Sequence, residues 1–167
     1  MSDGVRLIVF GRQGAGKGTQ CARLAEHYAV PHISTGDMLR AAVRDGTEFG
    51  RKGKEFMDAG KWLPDDIMCG LGAERLAHPD ARHGWLLDGY PRTAGQADAL
   101  AAVTGDAPFD LAVNLDVPEA VVVDRISSRR VCSKEGHIYS VHEPPRIPGI
   151  CDICGAGPGS SRLLIRH

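Results

Sequence analysis

Short apolar, β-branched runs alternate along this chain with segments whose apolar residues recur every three or four positions. The first run, Val5 to Phe10, is flanked by glycines and reads as a buried parallel strand. Behind it, Cys21, Leu24, Ala25 and Tyr28 share one face of a helix over 20–28. Val30 to Ile33 is a short extended segment, and Ser34-Thr35-Gly36-Asp37 starts a helix that carries Met38 to Val43 and stops near Gly46. A second small helix over Phe49 to Met57 ends at Gly60, and Pro64 opens a longer one to about Leu76. Gly84 to Gly89 predicts a buried strand that delivers the loop Tyr90-Pro91-Arg92-Thr93, followed by a helix over 94–102. Leu111 to Leu115 is another apolar strand, and Pro118 opens a helix on which Arg125 and Arg129, four apart, share a face. Strands alternating with helices predict an α/β fold: a parallel sheet with right-handed crossovers and helices on both faces.

Composition narrows this picture. At 167 residues the chain suffices for one well-cored domain with small insertions. The net charge of −1 and the absence of a long basic run give no support to bulk nucleic-acid binding. The sequence has no long apolar span for a membrane and no signal-peptide pattern at Met1-Ser2-Asp3-Gly4, so a cytoplasmic protein is expected. Disulfides are not expected in that compartment, and five cysteines need another account. Cys21 and Cys69 fall in helical patterns as small packed residues; the other three lie together near the end.

Between the first strand and helix lies Gly11-Arg12-Gln13-Gly14-Ala15-Gly16-Lys17-Gly18-Thr19. Glycines let this backbone turn its N–H groups inward, the helix N-terminus adds positive potential, and Lys17 can reach outer phosphates. Strand, glycine-rich turn and helix are the context that a phosphate-binding loop requires. One departure is that Gly18 follows the lysine, which moves the hydroxyl to Thr19.

The blocks Gly11–Gln20, His32–Val43, Gly84–Gln96 and Asp124–Cys132, in that order, resemble the signature blocks of the adenylate kinases. The resemblance covers residues 5 to about 155. It implies a P-loop core over 1–33 and 64–130, an AMP-binding insertion over 34–63 and a lid over 131–160 that closes on ATP. The implied reaction is phosphoryl transfer from ATP, with Mg²⁺, to AMP, on a monomer. Carried over position by position, Lys17 neutralises the transferring group, and Arg40 and Arg92 hold the AMP phosphate. Thr35 and Gln96 lie on the adenine side, Arg125 and Arg129 clamp the triphosphate, and Asp88 organises Mg²⁺ and its waters. Gly11, Gly14, Ala15, Gly16, Gly18, Thr19, Lys61, Leu63, Gly89 and Tyr139 are the further nucleotide-binding positions that the resemblance implies. Taken singly these residues are ambiguous. Arg125 and Arg129 alone favour a solvated helix face, Asp88 alone suits a helix or turn cap, and the Thr35 hydroxyl suits a cap for the helix after Ser34.

Within the lid, Cys132-x₄-His137 precedes Cys151-x₂-Cys154 across a proline-rich loop. Two close-spaced pairs of such ligands suit a tetrahedral structural zinc. The resembled family often has a second cysteine three after the first; here Glu135 stands there, and His137 is the substitute, with Glu135 as the alternative ligand. After Cys154-Gly155 the resemblance stops, and 161–167 form a divergent tail. The family continues there with an arginine and an acidic pair, a long helix, a fifth strand and a final helix. The expectation is a C-terminally truncated member with low activity, whose strand Leu111–Leu115 is left as an apolar edge. The rival readings are a kinase for another nucleoside monophosphate and an inactive nucleotide-binding fragment.

Overall fold

The structure, a computed structural model, describes residues 4–59, 61–105, 109–132, 134, 137–141, 143–157 and 161–162. Gly60, Glu135 and the tail from 163 onward, each given a part above, lie outside the described residues. The chain divides into two compact units, residues 1–11 with 16–115 and residues 12–15 with 116–167.

The larger unit holds a four-stranded parallel sheet of β1 (Arg6–Gly11), β2 (His32–Ser34), β3 (Trp85–Asp88) and β4 (Leu111–Leu115), in the order β2-β3-β1-β4. The fold class expected from the alternation is the one observed. Period-two side-chain geometry divides β1 and β3 between two cores. Ile8, Trp85 and Leu87 face a core built with α2 (Thr35–Asp45), α4 (Asp65–Leu76) and α5 (Ala94–Thr104). Leu7, Val9 and Leu86 face the opposite way, onto Cys21 of α1 (Lys17–Tyr28) and Val30. β1 and β3 are the inner strands, and that is why their sequences are continuously apolar instead of alternating. β4 is outermost on its side among the described residues, and Leu111 there is 56% exposed.

Helix starts follow the local chemistry. The hydroxyls of Ser34, Thr47 and Thr93 accept from the backbone N–H of Asp37, Gly50 and Gln96, capping α2, α3 (Glu48–Asp58) and α5. Ser34 therefore does the capping that Thr35 was considered for. Gly50 is required by close approach: a Cβ there would lie 2.2 Å from the Ala42 carbonyl oxygen of α2.

The smaller unit contains α6 (Glu119–Ser127) and an antiparallel sheet of β5 (Arg129–Cys132), β6 (Ile138–Ser140) and β7 (Ser161–Arg162), ordered β6-β5-β7. One expectation is corrected here. Arg125 and Arg129 do not share a helix face, because α6 ends at Ser127 and Arg129 opens β5 opposite Ser140. The hydroxyls of Ser127 and Ser128 donate to the Asp124 and Arg125 carbonyls, which finishes the helix locally. Ladder pairing then takes the backbone groups of the residues that follow. No helix among the described residues is long and apolar enough to cross a membrane.

Candidate active site and metal centre

In an open parallel sheet, ligands bind beyond the carboxyl ends of the strands, where successive connections diverge. β1 has neighbours on both sides, β3 and β4, so its carboxyl end is such a point. It runs into the phosphate loop, whose Gly14 and Gly16 have φ of 84° and 95°. These left-handed conformations need glycine. A Cβ on Gly14 would also lie 2.8 Å from the Ile126 side chain. The Lys17 ammonium, on the first residue of α1, donates to the Gly11 carbonyl at 2.8 Å. A Cβ on Gly18 would meet open space, so that glycine is not required by packing. Arg125 donates to the Ala15 carbonyl at 3.1 Å, while the Nε of Arg129 is buried with no acceptor among the described residues.

β3 ends in Asp88, one of whose oxygens lies 3.1 Å from Nε2 of His32 on β2. Asp88 is thus paired with a histidine and is no helix cap. Beyond it, Gly89 at φ 71° turns the chain, and its carbonyl accepts from Arg92 Nε at 2.6 Å. The Arg92 guanidinium also reaches the Thr35 hydroxyl at 3.5 Å. Gln96, 5% exposed, accepts the Arg92 backbone N–H at 2.8 Å and donates to Asp65 at 2.7 Å. Asp65 also accepts from the Thr93 hydroxyl at 2.6 Å. An amide has two lone pairs and two N–H donors, so Gln96 keeps one of each for a ligand while fixed in place by the others. Arg40 instead pairs with Asp37 on the exposed side of α2, at 2.6 Å. Lys61 is exposed, and Leu63 packs against the larger core.

In the smaller unit the donor atoms of Cys132, His137, Cys151 and Cys154 lie within 4.8 Å of one another. Cys132 Sγ is 3.7 Å from Cys154 Sγ, and His137 Nδ1 is 3.3 Å from Cys151 Sγ. Burial pushes the Cys151 thiol up, but hydrogen bonds from the Tyr139 hydroxyl and the backbone N–H groups of Cys154 and Ile153 outweigh it. They bring its pKa down to about 5. A thiolate beside two further sulfurs and an imidazole is the donor set of a closed zinc site. The Tyr139 hydroxyl, expected on the nucleotide side, lies 3.2 Å from Cys151 and accepts from the Asp152 N–H.

Sequence reasoning passed over three side chains that the fold brings to these sites: His32, Asp65 and Cys21. No local signal marks them, since His32 and Asp88 are 56 positions apart and Asp65 and Gln96 are 31 apart.

The comparisons with known proteins agree with this geometry. A family model described as adenylate kinase matches residues 9–152. The adenylate kinase of Desulfitobacterium hafniense is 49% identical over 154 residues, which cover 90% of this chain and 71% of that protein. Those of Methanosarcina mazei and Oceanobacillus iheyensis are 47% and 48% identical, over 90% and 91% of this chain and 71% and 72% of the relatives. With a phosphate loop at the carboxyl end of β1 and such relatives along nine-tenths of its length, the chain belongs to the adenylate kinase family.

Proposed function

We propose that this chain catalyses phosphoryl transfer from ATP to AMP, giving two ADP. A phosphate oxygen of AMP attacks the γ-phosphorus, the bond to the β,γ-bridging oxygen breaks, and ADP leaves. Little covalent chemistry is left to the protein in such a transfer; positioning and charge neutralisation do the work. The observation that carries the reading is the hydrogen-bonded set of Thr35, Arg92 and Gln96 beyond β2 and β3. It combines a guanidinium fork for a phosphate with a buried amide for a purine edge. Lys17 neutralises charge on the transferring group, and Arg40 leaves Asp37 to join Arg92 on the acceptor phosphate. Arg125 and Arg129 serve the donor phosphates, and the buried Nε of Arg129, without an acceptor among the described residues, is a donor that an anion would satisfy.

A hard carboxylate at a strand end fits Mg²⁺, which keeps most of its waters and takes one or two carboxylates with substrate phosphates. Asp88 would hold those waters, and the ion would screen the phosphate charges. The Cys132, His137, Cys151 and Cys154 cluster would hold a structural zinc that takes no part in the transfer.

The test is a coupled assay for ADP formed from ATP and AMP by the purified chain, with Lys17→Ala as control. Turnover that Lys17→Ala abolishes is the expected result. Turnover no faster than that control would overturn the reading, and faster turnover with another nucleoside monophosphate would reassign the acceptor.

A further inference from the structure

The larger unit contains a second cluster of metal-ligating atoms, of which the phosphoryl-transfer reading uses only Asp88. Cys21 of α1, His32 of β2 and Asp88 of β3 offer a sulfur, an imidazole nitrogen and a carboxylate oxygen within 4.8 Å of one another. We propose that these three residues form an inhibitory binding site for Zn²⁺, with a water as the fourth ligand.

Tetrahedral zinc with bonds of about 2.0–2.3 Å sets its ligands roughly 3.5 Å apart, so shifts well under 1 Å would bring the three donors to an ion. His32 and Asp88 already stand 3.1 Å apart. The three donors come from three elements of one packed core, so the cluster is preformed. Access comes from one side only. Cys21 has no exposed surface and rests among Leu7, Val9, Val30 and Leu86, whereas the His32 and Asp88 side chains are 25% and 12% exposed. An ion would enter past the histidine and carboxylate and meet the sulfur last. Three protein ligands leave the fourth tetrahedral position to solvent, the pattern of an open site in contrast to the closed four-ligand cluster of the smaller unit. On binding, the thiol gives its proton to solvent and the thiolate joins the metal.

The donor set also selects the ion. Sulfur and imidazole favour Zn²⁺ over Mg²⁺, which keeps to oxygen ligands. Inhibition rests on the reading given above, in which Asp88 organises Mg²⁺ and its waters: a zinc ion bonded to that carboxylate removes it from this role. Burial and the Asp88 carboxylate push the Cys21 thiol up, against a smaller opposing pull from the Lys17 ammonium, and that ammonium also repels a second cation, so the site should be weaker than the four-ligand cluster.

Cd²⁺ is the probe, with ¹¹³Cd NMR on the full chain. Two resonances are expected, one from the thiolate-rich cluster and a second shifted toward nitrogen and oxygen ligation. Cys21→Ala and His32→Gln should each remove only the second, weakening that site by more than the ~10–100-fold that loss of an outer-shell partner costs. A single resonance in the wild type, or a second one that survives both substitutions, overturns the site. In the second arm, added Zn²⁺ at fixed Mg²⁺, ATP and AMP should slow the wild type and leave Cys21→Ala at its own metal-free rate. Equal inhibition of both overturns the inhibitory role. A chain with no kinase turnover that still gives the second resonance would discard the reading of Asp88 and keep the site.

Discussion

The two units bury different kinds of side chain. In the larger, Ile33, Leu86 and Leu87 have no exposed surface, and apolar side chains from two inner strands and four helices interlock on both faces of the sheet. In and around the smaller sheet the fully buried side chains among the described residues are Cys132 and Cys151, while Ile138, Val141, Ile147 and Ile153 are all more than half exposed. Burial at about 25 cal/mol per Å² can account for the first. It has less to act on around the smaller sheet, where the fully buried side chains are cysteines. In a region that buries cysteine sulfurs and exposes its isoleucines, a metal bound as proposed would supply the folding energy. The lesson is that exclusion of water accounts for the scaffold, whereas the small antiparallel sheet has little apolar burial and a cluster of metal-ligating atoms in its place.

The largest expected effect breaks this contrast most directly. Stripping metal with a strong chelator should remove on the order of 10 kcal/mol from the small sheet, the scale of structural zinc in short domains. Hydrogen exchange at Ile138–Ser140 should lose its protection while β1 and β3 keep theirs. Protection that persists in both units would show that the small sheet stands without a metal.

The converse is Leu87→Ala, a large-to-small change in the sheet's interior. It should cost about 2–5 kcal/mol in denaturant melts of the larger unit and leave the zinc content unchanged. A loss of zinc together with the melt would mean that the two stabilising devices are not separate. Next is a change that acts on ligand and not on fold. Arg92→Ala should weaken AMP binding by about 1.5–3 kcal/mol in calorimetry, with less effect on ATP. Equal losses would reassign Arg92.

The smallest effect belongs to a surface pair of the larger unit. Arg75 donates both guanidinium nitrogens to Asp80, at 2.8 and 2.7 Å, and these hydrogen bonds hold that carboxyl below its ordinary pKa. A depressed carboxylate adds stability that is fully present above the ordinary value of about 3.9 and is lost as pH falls through the lowered one. Asp80→Asn should therefore cost under ~1 kcal/mol at neutral pH, and the cost should vanish in more acidic solution. A cost independent of pH would assign the effect to helix packing.

Much of this was legible residue by residue. The runs Val5–Phe10 and Gly84–Gly89 could only be buried strands, because apolar side chains on both faces require cover on both faces. Ser34 announced a helix start, realised by a hydrogen bond only three residues long, and the glycine loop announced a phosphate site through backbone geometry alone. Periodicity misjudged Arg129, since a helix and a strand compete there and the winner depends on Ile138–Ser140 folding back as a partner. Nothing local could have joined Cys21, His32 and Asp88, or fastened Gln96 to Asp65. Those contacts depend on the strand order β2-β3-β1-β4, which sets His32 beside Leu86 and places Asp88 one strand away from the phosphate loop. Local backbone chemistry is written in adjacent residues, whereas the meeting of side chains dozens of positions apart is decided by the topology that carries them.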